Sequence, residues 1–96
     1  MSVVEVSTFR LAAGANEEAF LTLDRRVQTE VVPNRPGFLR RTTARRGKDW
    51  LVVTLWASED DAMAFDDAVA HDPVQMEFDG HLEVGSVHTR RYDTLD

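Results

Sequence analysis

The sequence has the length of one small domain and an acidic charge balance. It contains 96 residues, of which 17 are acidic and 11 are basic, so its formal net charge is -6. This balance argues against nucleic acid as a partner, because nucleic-acid-binding surfaces are basic, and against binding to an anionic membrane surface. The absence of cysteine excludes disulfides, thiolate catalysis and cysteine-based metal sites.

No segment has the pattern of a targeting or membrane element. The first residues lack a basic stretch that leads into a long apolar run, so no signal peptide is expected. No apolar run approaches the roughly 20 residues of a membrane span. Since no repeat, linker or low-complexity segment is evident, we expect residues 1–96 to form a single domain. The lack of cysteine favours a cytoplasmic location.

The first third of the sequence predicts a strand followed by a helix. Val3–Leu11 alternates loosely and is rich in β-branched residues, which is typical of a strand. Asn16 is expected to cap a helix, and Pro33 and Pro36 are expected to end it. The apolar residues between them recur at intervals of three or four, as in an amphipathic helix, at Phe20, Leu23, Val27 and Val31.

The middle of the sequence predicts a hairpin followed by a second helix. Phe38–Arg46 and Asp49–Ala57 read as strands on either side of a short turn at Gly47-Lys48. Ser58 is the predicted N-cap of the next helix, with Asp61 in the capping-box position. The buried stripe of that helix is predicted at Ala62, Phe65 and Val69.

The last third completes a recognisable order of elements. Asp72 and Pro73 predict the cap and first residue of a short helix over Val74–His81, and Ser86–Tyr92 reads as the last strand. The order βαββαβ predicts an α+β, ferredoxin-like fold, with a four-stranded antiparallel sheet and helices on one face. In this arrangement the apolar first and third strands are central, and the charged second and fourth strands are edges.

The third predicted strand is apolar on both faces. Trp50, Val52, Thr54 and Trp56 point one way, and Leu51, Val53 and Leu55 point the other, because side chains alternate along a strand. The helices can cover one face of the sheet, and no remaining segment can cover the second. Two tryptophans are large enough to make a bare face unfavourable. We therefore expect a homodimer in which two sheets face each other.

Three segments carry a resemblance to a known superfamily. They are PGFLRRTTAR at the second strand, VVTLWASEDDAMAF from the third strand into its helix, and HDPVQMEF after that helix. The chain resembles the antibiotic biosynthesis monooxygenase-like (ABM) domains of the dimeric α+β barrel superfamily. The resemblance implies a homodimeric α+β barrel. Members of this superfamily include cofactor-independent monooxygenases of polyketide or quinol substrates, haem-degrading enzymes, isomerases and domains without known activity.

The resemblance also bears on individual positions. Trp56 matches a tryptophan common at the end of the third strand in ABM-like domains. Many relatives carry one histidine in the second helix and another after the proline that opens the next segment. This sequence has Phe65-Asp66 and Val74 at those places, and His71 lies nearby. Ser7-Thr8 stands where haem-degrading relatives carry an asparagine, which argues against haem degradation.

Five residues are candidates for a site that acts on an aromatic molecule. Trp56 is a candidate to pack against the substrate and donate its N–H to a carbonyl, with plain core packing as the alternative. His71 or His88 is the candidate base, because imidazole titrates near neutrality. Arg90 and Tyr92 share a strand face with His88 and are candidates to stabilise developing negative charge. The alternative for His71 is a surface histidine without a functional role. The alternative for the trio on the last strand is that polar residues keep an edge strand soluble.

The remaining polar residues predict no metal and no cofactor. The three histidines are dispersed, and no phosphate loop, serine elbow or nucleotide fingerprint is present. His81 is expected to be solvent-exposed. The hairpin arginines are expected to lie on the edge or to pair with acidic helices of a second subunit rather than to bind an anion; they are Arg40, Arg41, Arg45 and Arg46.

Two classes of function remain open from the sequence. One is a cofactor-independent monooxygenase that takes a proton from a small aromatic, polyketide or quinol-type molecule, which then reacts with O₂. The other is a non-catalytic homodimer that binds a small ligand or has a structural role. A lactone isomerase, which the superfamily also contains, would need an acid–base pair in the pocket. Fold does not choose among these, so whether the chain is an enzyme depends on the pocket beside Trp56.

Overall fold

A four-stranded antiparallel sheet and three helices make up the structure, a computed structural model that describes residues 1–95. The strands are β1 (Val3–Phe9), β2 (Phe38–Arg46), β3 (Asp49–Trp56) and β4 (His88–Asp93). The helices are α1 (Glu17–Arg26, continued by a π-helical segment Val27–Val31), α2 (Glu59–Val69) and α3 (Pro73–Gly80). The sheet order is β2-β3-β1-β4. The predicted ferredoxin-like fold with β1 and β3 in the centre is therefore confirmed. None of these helices is long and apolar enough to cross a membrane.

The predicted helix caps are present, with one difference in detail. Asn16 accepts a hydrogen bond from the Ala19 N–H at 2.9 Å, and Asp72 accepts one from the Val74 N–H at 2.9 Å. The Ser58 hydroxyl accepts from the Asp61 N–H at 3.1 Å and also lies 2.9 Å from the Asp61 carboxylate, to which it donates. Asp61 therefore binds the side chain of the cap, not the backbone N–H that a capping box uses.

The predicted strand boundaries shift by one or two residues. β2 has the predicted bounds, whereas β1 ends at Phe9, β3 ends at Trp56 and β4 begins at His88. Beyond the end of β1, Leu11 forms only an isolated bridge with Leu82. The chain leaves the sheet there and crosses toward the helices.

The end of α1 widens into a turn that buries three valines. From Val27 to Val31 the backbone is π-helical, and the Val32 N–H donates to the Val27 carbonyl at 3.1 Å. Because this hydrogen bond spans five residues, one more than in an α-helix, both ends of the turn can face the interior. Val27 and Val31 are each 2% exposed, and Val32 is 1% exposed.

A bulge near the start of β2 selects which arginine faces the interior. The register of β2 against β3 shifts between Phe38 and Arg40, so Leu39 is an extra residue. Beyond it, Arg41 pairs with Thr54 and lies on the helix-covered face. In an uninterrupted strand Arg40 would occupy that place, because side chains alternate.

The two tryptophans lie on the covered face of the sheet, which corrects the expectation that they form the uncovered one. Trp50 is 6% exposed and Trp56 is 1% exposed. Trp50 packs edge-on against Phe20 of α1, with ring centroids 5.1 Å apart. Trp56 lies between Phe38 and Phe65, with centroid separations of 5.8 and 4.9 Å. The helices thus cover the aromatic face, where burial contributes most.

The opposite face of the sheet is aliphatic. On it β1 and β3 bring together five half-buried side chains, which we call the open-face patch: Val4, Val6, Leu51, Val53 and Leu55. The helices found within residues 1–95 pack on the other side of the sheet. The expectation that one chain cannot cover both faces therefore holds for the described residues, with aliphatic residues in the place predicted for the tryptophans.

Gly37, in the turn before β2, has a conformation and an environment that admit no side chain. Its φ is +76°, which L-residues disfavour, and an added Cβ would overlap the Asp61 carboxyl group. We expect Gly37→Ala to lower the free energy of unfolding by roughly 2–4 kcal/mol, measured by urea denaturation.

Gly47→Ala is the matched control for this substitution. Gly47 has a φ of +61°, but a Cβ there would meet nothing within 4 Å. This variant should lose only about 1 kcal/mol, from backbone strain alone. Equal losses in the two variants would show that Asp61 moves aside without penalty.

Candidate functional site

A cavity of about 370 Å³ lies between the sheet and the helices. This volume falls within the range of small-molecule sites in proteins. Its deep end is lined mainly by buried residues, among them Val27, Arg41, Val52, Thr54, Trp56 and Phe78. Its mouth is lined by the exposed residues Asp66, Ala70, Asp79, Val87 and Thr89. We call this space the interior cavity.

Trp56 supplies an unused hydrogen-bond donor at this cavity. Its indole Nε1 is buried and has no hydrogen-bond partner among the described residues. A buried N–H without a partner is rare and unfavourable, because it has lost its hydrogen bond to water. Trp56 also lines the cavity, but its Nε1 has almost no accessible surface, so a ligand carbonyl would reach this donor only after neighbouring side chains move.

Arg41 reaches the cavity because an acidic residue on α1 compensates its charge. Its side chain is only 5% exposed, and one guanidinium nitrogen donates to Asp24 at 2.8 Å. The other lies 3.3 Å from Gln28 Oε1, and the Thr43 hydroxyl also donates to Asp24, at 2.8 Å. The guanidinium stands 5.7 Å from the centre of the Phe78 ring. These contacts make Arg41 a fixed part of the wall, not an unpaired cation awaiting an anion.

The Glu5 carboxylate, on the central strand β1, is held by an arginine on β4. Arg91 lies directly opposite Glu5 and donates to it at 2.7 Å, and it also donates to Asp66 of α2 at 2.5 Å. Burial acts to lower the pKa of Arg91, but these two hydrogen bonds outweigh it and raise the pKa above its ordinary value. Arg91 therefore stays charged and ties the sheet edge to α2.

Asp79 is a carboxylate on α3 with a different environment. It lines the cavity at its mouth and accepts a hydrogen bond from Gln75 Nε2 at 3.0 Å. Although Asp79 as a residue is exposed, partial burial of its carboxylate raises the pKa above its ordinary value, and the hydrogen bond from Gln75 opposes this only in part. Within residues 1–95 the structure gives Asp79 no cationic partner.

The structure places the histidines away from the interior cavity. His71 is exposed in the turn after α2. His81 is half-buried, which corrects the expectation of full exposure. Its Nδ1 donates to the Glu77 carbonyl at 2.8 Å, and its ring lies 6.4 Å from that of Phe20. Within residues 1–95, no cluster of three or more potential ligand side chains is arranged to hold a metal ion.

The predicted trio on β4 lies together, but on the other side of the sheet from Trp56. His88, Arg90 and Tyr92 line a pocket of about 350 Å³ on the open face with Val6 and Thr8. Trp56 faces the helices. The predicted site residues therefore lie in three places: Trp56 at the interior cavity, the β4 trio on the opposite face of the sheet, and His71 in the turn after α2.

A wider groove of about 710 Å³ lies at the end of the sheet. Its charged groups are largely engaged: Arg10 pairs with Asp49 at 3.0 Å and Arg45 pairs with Glu17. Arg45 also lies 5.2 Å from the centre of the Trp50 ring. Arg41 and Arg45 thus form ion pairs with helix α1 of their own chain, where the expectation was either a solvated edge hairpin or pairing with a second subunit.

The fold is shared with a group of solved structures. SnoaB from Streptomyces nogalater, a cofactor-independent oxygenase, superimposes with a TM-score of 0.81 at 14% identity, covering 99% of this chain and 94% of that one. Rv0793 from Mycobacterium tuberculosis gives 0.73 at 14% identity, with 100% and 97% coverage. A Caulobacter crescentus CB15 protein, provisionally assigned as an antibiotic biosynthesis monooxygenase, gives 0.70 at 20% identity, with 99% and 91% coverage. No protein-family model and no curated protein matches the sequence.

This chain has the ABM-like fold. At identities of 20% or less the structural likeness establishes the fold and not the activity. The ferredoxin-like fold of the single chain is therefore confirmed across nearly its whole length, whereas the homodimeric barrel that the resemblance implies stays a prediction. The activity named for SnoaB belongs to that protein, and what this chain does depends on its own cavity.

Sequence analysis missed three of the polar residues that line the cavity, Glu5, Arg41 and Asp79. Two of them left a signal in the sequence. Asp24 falls on the apolar stripe of α1 between Phe20 and Val27, and a carboxylate there needs a buried partner such as Arg41. Glu5 is a charge on a central strand and likewise needs a partner from a neighbouring strand. No comparable signal marks Asp79.

The Arg41–Asp24 pair predicts a measurable stability difference. Asp24→Asn removes the charge that compensates a buried guanidinium, and we expect it to lower the free energy of unfolding by about 2–3 kcal/mol. Urea denaturation checks this value.

Glu30→Gln is the matched control for this pair. It makes the same acid-to-amide change in the Arg26–Glu30 pair, which is equally short at 2.8 Å but exposed. An exposed pair contributes little, so no change beyond experimental error is expected. If the two variants lose similar amounts of unfolding free energy, the burial of Arg41 does not make its ion pair more important than an exposed one.

Proposed function

We propose that this chain is an ABM-family protein that acts on a small flat aromatic molecule, of polyketide or quinol type, as a cofactor-independent monooxygenase. The observation that supports this most directly is the interior cavity of about 370 Å³, which Trp56 lines with a ring whose buried N–H has no partner among the described residues. The cavity walls include Phe9, Phe65 and Phe78, whose rings suit a planar ligand. The likeness to SnoaB, a cofactor-independent oxygenase, agrees with this proposal.

The proposed chemistry uses Trp56 as the donor to a ligand carbonyl. When a proton leaves an anthrone-like or quinol-like substrate, negative charge develops on the carbonyl oxygen, and the N–H hydrogen bond becomes stronger. The electron-rich substrate then reacts directly with O₂. For a ring methylene, one oxygen atom enters the product as a carbonyl, and the other leaves as water with the two methylene hydrogens.

The base for this reaction was predicted to be His71 or His88, and that stays a prediction. Neither residue lines the interior cavity. The same holds for Arg90 and Tyr92, which lie with His88 on the open face. This separation favours a second candidate function, namely that the cavity binds its aromatic ligand without turnover.

Replacing Trp56 by phenylalanine tests the proposed donor. Trp56→Phe keeps an aromatic ring but removes the N–H, so we expect the rate of oxygen consumption across a panel of quinols and anthrones to fall roughly 10–100-fold. Ligand affinity should fall about tenfold or less, the effect of one hydrogen bond.

Trp50→Phe is the control for this experiment. Trp50 is buried on the same sheet face but is not among the residues that line the interior cavity, and its substitution should leave both values unchanged. Activity that is indifferent to Trp56→Phe would remove Trp56 from the site. Ligand binding without oxygen consumption by the wild type would support the non-catalytic alternative.

We also propose that the protein is a homodimer in which the open-face patches of two copies pack together. Two central strands contribute aliphatic side chains there, and the edge strands add polar residues such as Thr42, Arg90 and Tyr92 on the same face. An apolar centre with a polar rim is the usual composition of a protein interface. A second copy offers a surface of the same shape and chemistry, as a two-fold interface requires.

The dimer proposal predicts a specific effect of a buried charge. Val53→Glu would place two carboxylates near the two-fold axis, and we expect the dissociation constant to rise roughly 100-fold or more, measured by sedimentation equilibrium. Met63→Glu, on the exposed side of α2, should leave the dimer intact. A wild-type particle of 10.9 kDa at micromolar concentration, the mass of one chain, would exclude the dimer.

A further inference from the structure

The interior cavity has an excess of negative charge. Glu5, Asp66 and Asp79 line it, together with a single cation, Arg41. Just behind the wall lie Asp24, which binds Arg41, and Arg91, which binds both Glu5 and Asp66. Four carboxylates therefore surround two guanidinium groups. A bound anion would be repelled at close range, whereas a neutral ligand that donates hydrogen bonds would be attracted.

Asp79 differs from the other three carboxylates in its partner. Asp24, Glu5 and Asp66 each accept from an arginine at 2.8 Å or less. Among the residues that the structure describes, the Asp79 carboxylate accepts from the neutral amide of Gln75 and from no cation. A carboxylate without a cationic partner keeps lone pairs free for a ligand. Its charged form is also less stabilised than that of a paired carboxylate, so Asp79 is more basic than the other three. The raised pKa of Asp79, caused by burial, agrees with this geometry.

We infer that Asp79 is the acid–base residue of the interior cavity and that the cavity selects neutral hydroxy-aromatic ligands over anionic ones. The inference rests on the proposed function in taking the cavity as the ligand site. Asp79 accepts the hydroxyl hydrogen bond of the ligand, and Trp56, which lines the same cavity, donates to its carbonyl. Asp79 thus takes the role that sequence analysis gave to a histidine.

The proton transfer balances within the ligand and the carboxylate. The ligand O–H bond breaks, its electron pair stays on the ligand oxygen, and the proton forms a new O–H bond on the Asp79 carboxylate. The negative charge spreads through the aromatic system to the carbonyl oxygen, where Trp56 donates. A base near the mouth and a donor in the deep part of the cavity would in this way move charge across one flat ligand.

Anthraquinones test this inference without oxygen chemistry, because they are already oxidised. The probes are anthraquinone itself, a monohydroxyanthraquinone whose hydroxyl lies away from the carbonyls, the methyl ether of that compound, and anthraquinone sulfonate. Binding is measured by quenching of tryptophan fluorescence. In the wild type the hydroxy compound should bind about tenfold more tightly than the methyl ether, since only the hydroxyl donates a hydrogen bond to a charged acceptor. The sulfonate should bind more weakly than anthraquinone.

Asp79→Asn is the decisive variant. It should lower the affinity for the hydroxy compound roughly tenfold or more and change the affinity for anthraquinone by no more than about twofold. Asp67→Asn makes the same change on an exposed residue of α2 that does not line the cavity, and it should alter neither value. A loss that is the same for anthraquinone and its hydroxy derivative would mean that Asp79 only supports the fold, and would overturn the inference.

Stability measurements show whether Asp79→Asn remains folded. Because the pKa of Asp79 is raised in the folded protein, its charged form disfavours folding above that pKa, and the penalty disappears as the pH falls below the ordinary value. Asp79→Asn should therefore be at least as stable as the wild type at neutral pH. Should it unfold, the comparison of hydroxy compound with methyl ether in the wild type still decides, because equal affinities would exclude a hydroxyl acceptor.

Failure of this inference and failure of the proposed monooxygenase can be told apart. If the protein shows the predicted ligand selectivity but consumes no oxygen, the role of Asp79 as the acceptor is supported and the oxygenase proposal is contradicted. If the protein consumes oxygen but binds the sulfonate as tightly as anthraquinone, the oxygenase proposal is supported and the predicted selection against anions is contradicted.

Discussion

The alternation of side chains along β3 is the constraint on which the rest of the structure depends. It places Trp50, Val52, Thr54 and Trp56 under the helices and Leu51, Val53 and Leu55 on the opposite face. From the first set Val52, Thr54 and Trp56 line the deep end of the interior cavity, and Trp50 packs in the core. The second set forms the centre of the open-face patch. One strand thus connects the interior cavity and the open-face patch through the thickness of a single sheet.

Ion pairs hold the cavity open in a protein too small for a large core. Arg41 with Asp24 joins β2 to α1, and Arg91 with Glu5 and Asp66 joins β4 and β1 to α2. These charged groups occupy space that apolar side chains would otherwise fill, and each has its partner. Because the pairs satisfy one another, the polar groups left for a ligand are few, chiefly the Trp56 N–H and the Asp79 carboxylate. Such a division between paired structural charges and unpaired groups is typical of a binding site.

The ABM-like fold accounts for the arrangement of the sheet and helices but not for the chemistry. Neighbours at 14% identity share the sheet and helices across nearly their whole length, yet one fold accommodates many activities when the cavity residues change. None of the histidines lines the interior cavity, whereas Glu5, Asp66 and Asp79 do. The chemistry of this chain therefore has to be argued from its own side chains.

The sequence by itself determined the order of elements, the helix caps, the central position of β1 and β3, and the presence of two apolar faces. These follow from local periodicity and from capping residues, which act over a few positions along the chain. Only the tertiary structure decided which face the helices cover and which arginine enters the cavity. The bulge at Leu39 shifts β2 by one residue and turns Arg41 inward, and that shift depends on the pairing with β3. The tertiary structure likewise placed His88 and Trp56 on opposite sides of the sheet and brought Asp79 to the cavity. These relations arise from packing between segments that are far apart in the chain.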